Sequence, residues 1–209
     1  MARRYRLEYR KRKLAKEKKR KLKEEKKQQE SSPVKEFFGW ILYIALILGA
    51  TFLIVTYVGQ RTKVSGNSME TALHNGDNLI VDKISYRFRE PERYEIVVFP
   101  YRHQENTYYI KRIIGLPGES VQIKNGEVYI NGKVLGENYG IEKINIGEEG
   151  IAKDVIVLGE DEYFVLGDNR NHSSDSRDSS VGILKKDELI GRAFVRIWPL
   201  DSIGVIPHE

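Results

Sequence analysis

Val121-Gln122-Ile123-Lys124-Asn125-Gly126-Glu127-Val128-Tyr129-Ile130-Asn131-Gly132-Lys133-Val134-Leu135 is the stretch that decides the fold class. Short runs rich in branched residues are broken twice by Asn-Gly, the pair that best accepts two consecutive positive φ angles in a tight hairpin turn. The reading is a three-stranded antiparallel meander. Around it lie further short runs of branched and aromatic residues bounded by turn formers or Pro: Asn78–Val81, Glu95–Phe99, Tyr163–Leu166 and Arg192–Trp198. Thr107 to Gly115 reads as another strand, Lys185 to Leu189 as one helical turn at most, and residues 136–160 as a polar, Gly-rich loop or small hairpin excursion. The chain after residue 59 is therefore mostly β.

Upstream, the pattern changes. Phe37 to Val58, FFGWILYIALILGATFLIVTYV, holds 22 residues without a charge, and a helix of about 20 residues spans the hydrocarbon core of a bilayer. A cleaved signal peptide has a shorter apolar core ending in small residues, whereas this one ends Tyr57-Val58-Gly59-Gln60-Arg61; a retained transmembrane helix fits better. Residues 1–30 carry 15 Lys/Arg against 5 Glu, so the net +5 of the whole chain leaves about −5 after residue 30. The positive-inside bias then sets residues 1–36 as a basic cytoplasmic segment, 37–58 as the membrane helix and 59–209 as one exterior domain. A basic segment there is drawn to anionic lipid headgroups; no aromatic or groove-reading pattern accompanies the charge, so nucleic acid is not the expected partner.

The chain has no cysteine, which excludes disulfides, thiolate nucleophiles and zinc-thiolate sites. An exterior domain of this size buries a core without such staples. No His or carboxylate set has metal-ligand spacing, and no metal or cofactor is expected.

Ser68, in Ser65-Gly66-Asn67-Ser68-Met69, stands ten residues beyond the apolar stretch. A serine hydroxyl needs a neighbouring base to become a nucleophile. His74, His103 and His208 lie in polar or terminal contexts, and His172, between Asp168 and Asp175, makes a Ser-His-Asp arrangement conceivable. Lysine can serve instead if burial lowers its pKa. Lys111, in Tyr108-Tyr109-Ile110-Lys111-Arg112-Ile113-Ile114, has apolar neighbours, although most strand lysines face water. The residues alone leave both readings open.

The order Gly66-x-Ser68-Met69, then Tyr109-Ile110-Lys111-Arg112-Ile113-Ile114-Gly115-Leu116-Pro117-Gly118-Glu119, then Gly167-Asp168-Asn169-Arg170-x-x-Ser173-x-Asp175-Ser176-Arg177 resembles the bacterial type I signal peptidases, in their short single-span form. The resemblance implies a membrane-anchored serine endopeptidase with a compact exterior domain of coiled antiparallel β-sheets, acting on exported preproteins. It implies Ser68 as nucleophile, Lys111 as general base, and Ser173 as the hydroxyl that orients the lysine. Ser68 and Gly66 would form the oxyanion hole, and Gly167, Asp168, Asp175 and Arg177 would support the loop. Val64, Ser65, Gly66, Met69, Tyr108, Tyr109 and Ile110 would hold the substrate. Two stretches depart from the family pattern. Thr71-Ala72 stands where Pro-Thr is usual, and Gly66 stands where some members carry a serine that helps bind the oxyanion. A self-cleaving repressor shares serine-lysine chemistry but needs no membrane span, and a non-enzymatic derivative would be expected to lose Ser68 or Lys111.

Overall fold

A computed structural model describes residues 2–29, 33–137, 139–140 and 142–208. These form two compact units, residues 1–52 and 53–209; residues 30–32 of the basic segment lie outside the described residues.

The first unit is helical. Helix α1 (Ala2–Gln29) consists almost wholly of Arg, Lys, Glu, Gln, Leu and Ala, all good helix formers. No apolar face develops along it, and its described side chains are exposed. Helix α2 (Pro33–Leu53) starts with proline in its first turn, where a missing N–H costs nothing. It continues as a π-helical turn, Ile54–Val58, and Pro33–Val58 is the one helix among the described residues long and apolar enough to cross a membrane.

The second unit is built on antiparallel strands, as the alternating sequence requires. A large sheet contains β1 (Gly59–Lys63), β2 (Asn78–Asp82), β3 (Ile96–Pro100), β4 (Tyr108–Gly115), β9 (Glu162–Leu166), β10 (Leu184–Lys185), β11 (Gly191–Trp198) and β12 (Gly204–Val205). Its order is β1-β2-β11-β3-β4-β9-β10, with β12 beside β11. The second sheet, β7-β6-β5-β8, is the expected meander of β5 (Ser120–Lys124), β6 (Glu127–Ile130) and β7 (Lys133–Val134), joined on its other side by β8 (Ile156–Val157). Both Asn-Gly turns have positive φ at both residues: 54° and 76° at Asn125-Gly126, 51° and 76° at Asn131-Gly132. That geometry matches the right-handed twist of the flanking strands.

Alternation fixes which face is inside. Val121, Ile123, Val128 and Ile130 are buried in one apolar cluster with Ile114, Leu158, Phe164 and Leu166, which fastens the small sheet to β4 and β9. A second cluster joins Val64, Met69 and Leu73 to Leu79 and Val81 of β2, Ile96 and Val98 of β3, Ile110 of β4 and Ala193 of β11. Burying each such side chain contributes about 1.5–3 kcal/mol, so the loop carrying Ser68 is anchored by Val64 on one side and by Met69 and Leu73 on the other. The expected excursion at 136–160 contains more order than its composition suggests: a 3-10 turn at Gly150–Lys153 and strand β8.

Candidate active site

Ser68 and Lys111 come from different strands and loops and meet in space. Val64 is held by its N–H to the Asp77 carbonyl at 2.8 Å, and Gly76 N–H returns to the Val64 carbonyl at 3.0 Å. The chain then turns through Gly66 at φ +94°, a region that favours glycine. Beyond the turn, Met69 N-terminal to Leu73 closes a tight bend, with Leu73 N–H bonded to the Met69 carbonyl at 2.8 Å. Lys111 lies on β4, paired with Val97 of β3. Its Nζ is 2.8 Å from Ser68 Oγ and donates to the Ile110 carbonyl at 3.1 Å.

Lys111 is only 4% exposed. Burial penalises its ammonium and brings the pKa down to about 8, while Asp175 and Asp168 pull in the opposite direction. Desolvation therefore outweighs the two nearby carboxylates, and at pH 7 about a tenth of the amine is neutral, against well under a thousandth for a free lysine. The amine also sits 5.1 Å from the Tyr109 ring centre.

The loop after β9 locks this arrangement. Asp168 takes Arg112 Nε and Nη2 at 2.8 and 2.7 Å, and Arg112 Nη1 donates to the Tyr94 carbonyl at 2.8 Å. Asp175 takes Arg177 Nε at 2.8 Å and Nη2 at 2.9 Å, and accepts from Gly167 N–H at 3.0 Å. Both aspartates are buried and paired, as buried charge must be. Asn169 N–H donates to the Ser68 carbonyl at 3.1 Å, and its side-chain amide donates to the Asn67 carbonyl at 3.2 Å. The loop thus grips the backbone of Asn67 and Ser68. A Cβ on Gly167 would lie 2.2 Å from Ser173 Oγ and 2.6 Å from the Ser68 carbonyl oxygen, so only glycine fits.

Ser173 is placed differently from what the resemblance implies. Its Oγ is buried beside Gly167 and has no hydrogen-bond partner among the described residues; the amine's second bond goes to the Ile110 carbonyl. Gly66 N–H is already engaged by Asn75 Oδ1 at 3.1 Å, whereas no bond from Ser68 N–H to a backbone carbonyl occurs among the described residues. Of the two, the Ser68 N–H is the one available to an oxyanion. Thr71 has φ +89°, which proline, locked near −65°, cannot adopt.

A cleft of about 610 Å³ opens over the pair. Val64, Ser65, Gly66, Met69, Tyr108, Tyr109 and Ile110 all line it, with His172 and Ser174. Strand β9 ends opposite Arg112, so Tyr108 to Lys111 have β3 on one side and, among the described residues, no partner strand on the other. An extended peptide can add to that edge. Sequence reasoning overlooked Arg112 and Asn169 as supports, although both stand inside the quoted motifs; their roles depend on partners more than 50 positions away.

Residues 37–198 match the family described as "Signal peptidase, peptidase S26". The chain belongs to the signal peptidase S26 family. Among relatives, a probable signal peptidase I-2 of Synechocystis is 45% identical over 75% of this chain and 71% of its own length. Signal peptidase I of Leptolyngbya laminosa is 41% identical over 78% of each chain, and signal peptidase I P of Bacillus subtilis subsp. natto is 35% identical over 78% and 90%. A signal peptidase I structure from Enterococcus faecalis, 33% identical, aligns with a TM-score of 0.41 over 50% of this chain and 97% of that one. This family member is accordingly a peptidase, and its mostly antiparallel β architecture with one N-terminal apolar helix agrees with the fold expected from sequence.

Proposed function

We propose that this peptidase is a membrane-anchored serine endopeptidase that removes signal peptides from exported preproteins through a Ser68–Lys111 dyad. The observation that carries the reading is the buried Lys111 amine 2.8 Å from Ser68 Oγ, with its pKa brought down to about 8 by desolvation. A preprotein lies extended along Tyr108–Ile110 and Val64–Gly66, and small side chains precede its scissile bond. Neutral Nζ accepts the Ser68 Oγ–H proton as Oγ attacks the carbonyl carbon. The oxyanion receives the Ser68 N–H, a kind of donor worth about 3–4 kcal/mol in other serine proteases. As the intermediate collapses, the Lys111 ammonium returns the proton to the departing amine. Nζ then accepts a proton from the water that attacks the ester and releases the enzyme.

The +10 of residues 1–30 supports an N-terminus held on the cytoplasmic side against anionic headgroups, with residues 59–209 outside. Protease added to right-side-out vesicles should then digest the chain after about residue 60 and spare the basic segment; protection of the long C-terminal part would overturn that orientation. For the chemistry, a signal-bearing precursor is incubated with wild type, Ser68→Ala, Lys111→Ala and His172→Ala, and the product's new N-terminus is sequenced. The first two variants should be inactive and the third active. Cleavage by Ser68→Ala above a few per cent of wild type, or a folded but inactive His172→Ala, would end the dyad reading.

A further inference from the structure

After β7, residues 136–137, 139–140 and 142–145 are described and do not line the cleft, in a stretch whose composition suggests only a connection. Two of its side chains reach the supports beneath the dyad. The Tyr139 ring lies over the Arg112 guanidinium, 3.9 Å from Cζ to the ring centre, and packs at 5.0 Å against Tyr94. The Glu137 carboxylate takes both terminal nitrogens of Arg170, at 2.6 and 2.5 Å, with Arg170 3% and Glu137 15% exposed. Further along, Asn145 N–H donates to Asn171 Oδ1 at 2.9 Å, and Asn171 Nδ2 donates to the Lys143 carbonyl at 3.0 Å.

What these groups hold matters more than the bonds themselves. Arg112 follows Lys111 directly, and its guanidinium plane is fixed by the Asp168 fork on its edge and the Tyr139 ring on its face. Arg170 donates from Nε to the Gly167 carbonyl at 3.0 Å, and its own carbonyl accepts from Arg177. Gly167 is the residue pressed against Ser173 and the Ser68 backbone. The two anchors therefore control, each through one arginine, the β4 backbone beside the base and the loop that grips the nucleophile. Neither Glu137 nor Tyr139 lines the cleft.

We propose that this segment is a strap that keeps the dyad in register, with Glu137 and Tyr139 as positioning residues that never touch substrate. The proposal rests on the Ser68–Lys111 reading of the site. A flat ring over a guanidinium resists tilting of that group, and the attraction grows when both are out of water. Releasing it lets Arg112 and the loop relax and admits water to the Lys111 pocket.

The test uses the full chain in detergent with a precursor substrate. Tyr139→Leu and Glu137→Gln should each lower kcat about tenfold or more, as small misplacements of reacting groups do, with KM changed by no more than about twofold. Better hydration of Lys111 in both variants should move the acid limb of the rate profile up by about one pH unit. Tyr139→Phe keeps the ring over Arg112 and should stay within about twofold of wild type. Unchanged kcat and pH limb, a loss confined to KM, or a Tyr139→Phe enzyme as impaired as Tyr139→Leu would each overturn the strap. If Tyr139→Leu fails to fold, Glu137→Gln carries the same readings. Should the wild type cleave no precursor, the dyad reading fails separately, and the strap is read directly from acetylation of Lys111 across pH. The midpoint, near about 8 in wild type, should rise in Glu137→Gln; an unmoved midpoint would refute the strap.

Discussion

Lys111→Met should make the protein more stable near neutral pH, by an amount that shrinks as the pH rises. The folded-state pKa of Lys111 is about 8 against an ordinary value of 10.5, so the proton is held less tightly in the folded chain than in the unfolded one. Below pH 8 the lysine is charged in both states and the folded state bears the full desolvation cost, about 3 kcal/mol at 1.36 kcal/mol per pKa unit. Between pH 8 and 10.5 the folded amine is neutral while the unfolded amine still binds a proton, and the cost fades as the pH climbs. From pH 7 to 9.5 the stability difference between Lys111→Met and wild type should fall by about 2 kcal/mol. Using the difference cancels the tyrosines and carboxylates common to both proteins, and also the lost bonds to Ser68 and Ile110, which do not vary with pH in this way. Urea unfolding of both proteins in the same detergent, followed by tryptophan fluorescence at several pH values, measures it. A difference independent of pH would show that Lys111 keeps its solvent pKa when folded, and the argument for a neutral base would fail.

Three other outcomes follow from particular contacts. The cleavage rate of wild type should rise through an acid limb near about pH 8, where Lys111 loses its proton; a limb near the free-lysine value of about 10.4 would contradict the buried amine. Gly167→Ala should leave little activity, because its Cβ would fall 2.2 Å from Ser173 Oγ and 2.6 Å from the Ser68 carbonyl, and a kinetic assay finding wild-type rates would show that the loop can move aside. Thr71→Pro, which restores the usual family residue, should destabilise this chain, whereas Thr71→Gly should stabilise it by about 1 kcal/mol through relief of the +89° φ; denaturant midpoints of the two variants decide the sign.

The parts of the fold that rest on local chemistry could be read directly. Asn125-Gly126 and Asn131-Gly132 name their own turn type, and the branched runs at 78–81, 95–99, 121–124 and 127–130 became strands with ends moved by no more than a residue. Strand β1, Gly59-Gln60-Arg61-Thr62-Lys63, carries no apolar alternation and owes its form to pairing with β2. Strands β8, β10 and β12 are two residues long, too short for periodicity to register. In the site, Ser68 and Lys111 were nameable because their motifs are contiguous, yet physics on the residues alone left the lysine undecided: its burial comes from the packing of distant strands. The same reason hid Glu137 and Tyr139, ordinary loop residues until Arg170 and Arg112 are brought to them. Ser173 was expected on the amine, whereas its buried hydroxyl has no hydrogen-bond partner among the described residues, a detail that no spacing reveals.

Strand β11 has a consequence for the order in which the protein is made. Ser68 follows β1 and precedes β2, and Lys111 lies on β4 beside β3, so both members of the proposed dyad belong to early hairpins. Those hairpins do not pair with each other; β11 lies between β2 and β3, and Arg192 reaches Asp82 across 110 positions of chain. Contacts so distant in sequence form late, since closing a long loop precedes any reward from the contacts within it. A chain whose synthesis has not passed Trp198 therefore lacks the strand that joins its two halves. The two members of the proposed dyad are brought into one sheet only when this late strand joins the hairpins that carry them.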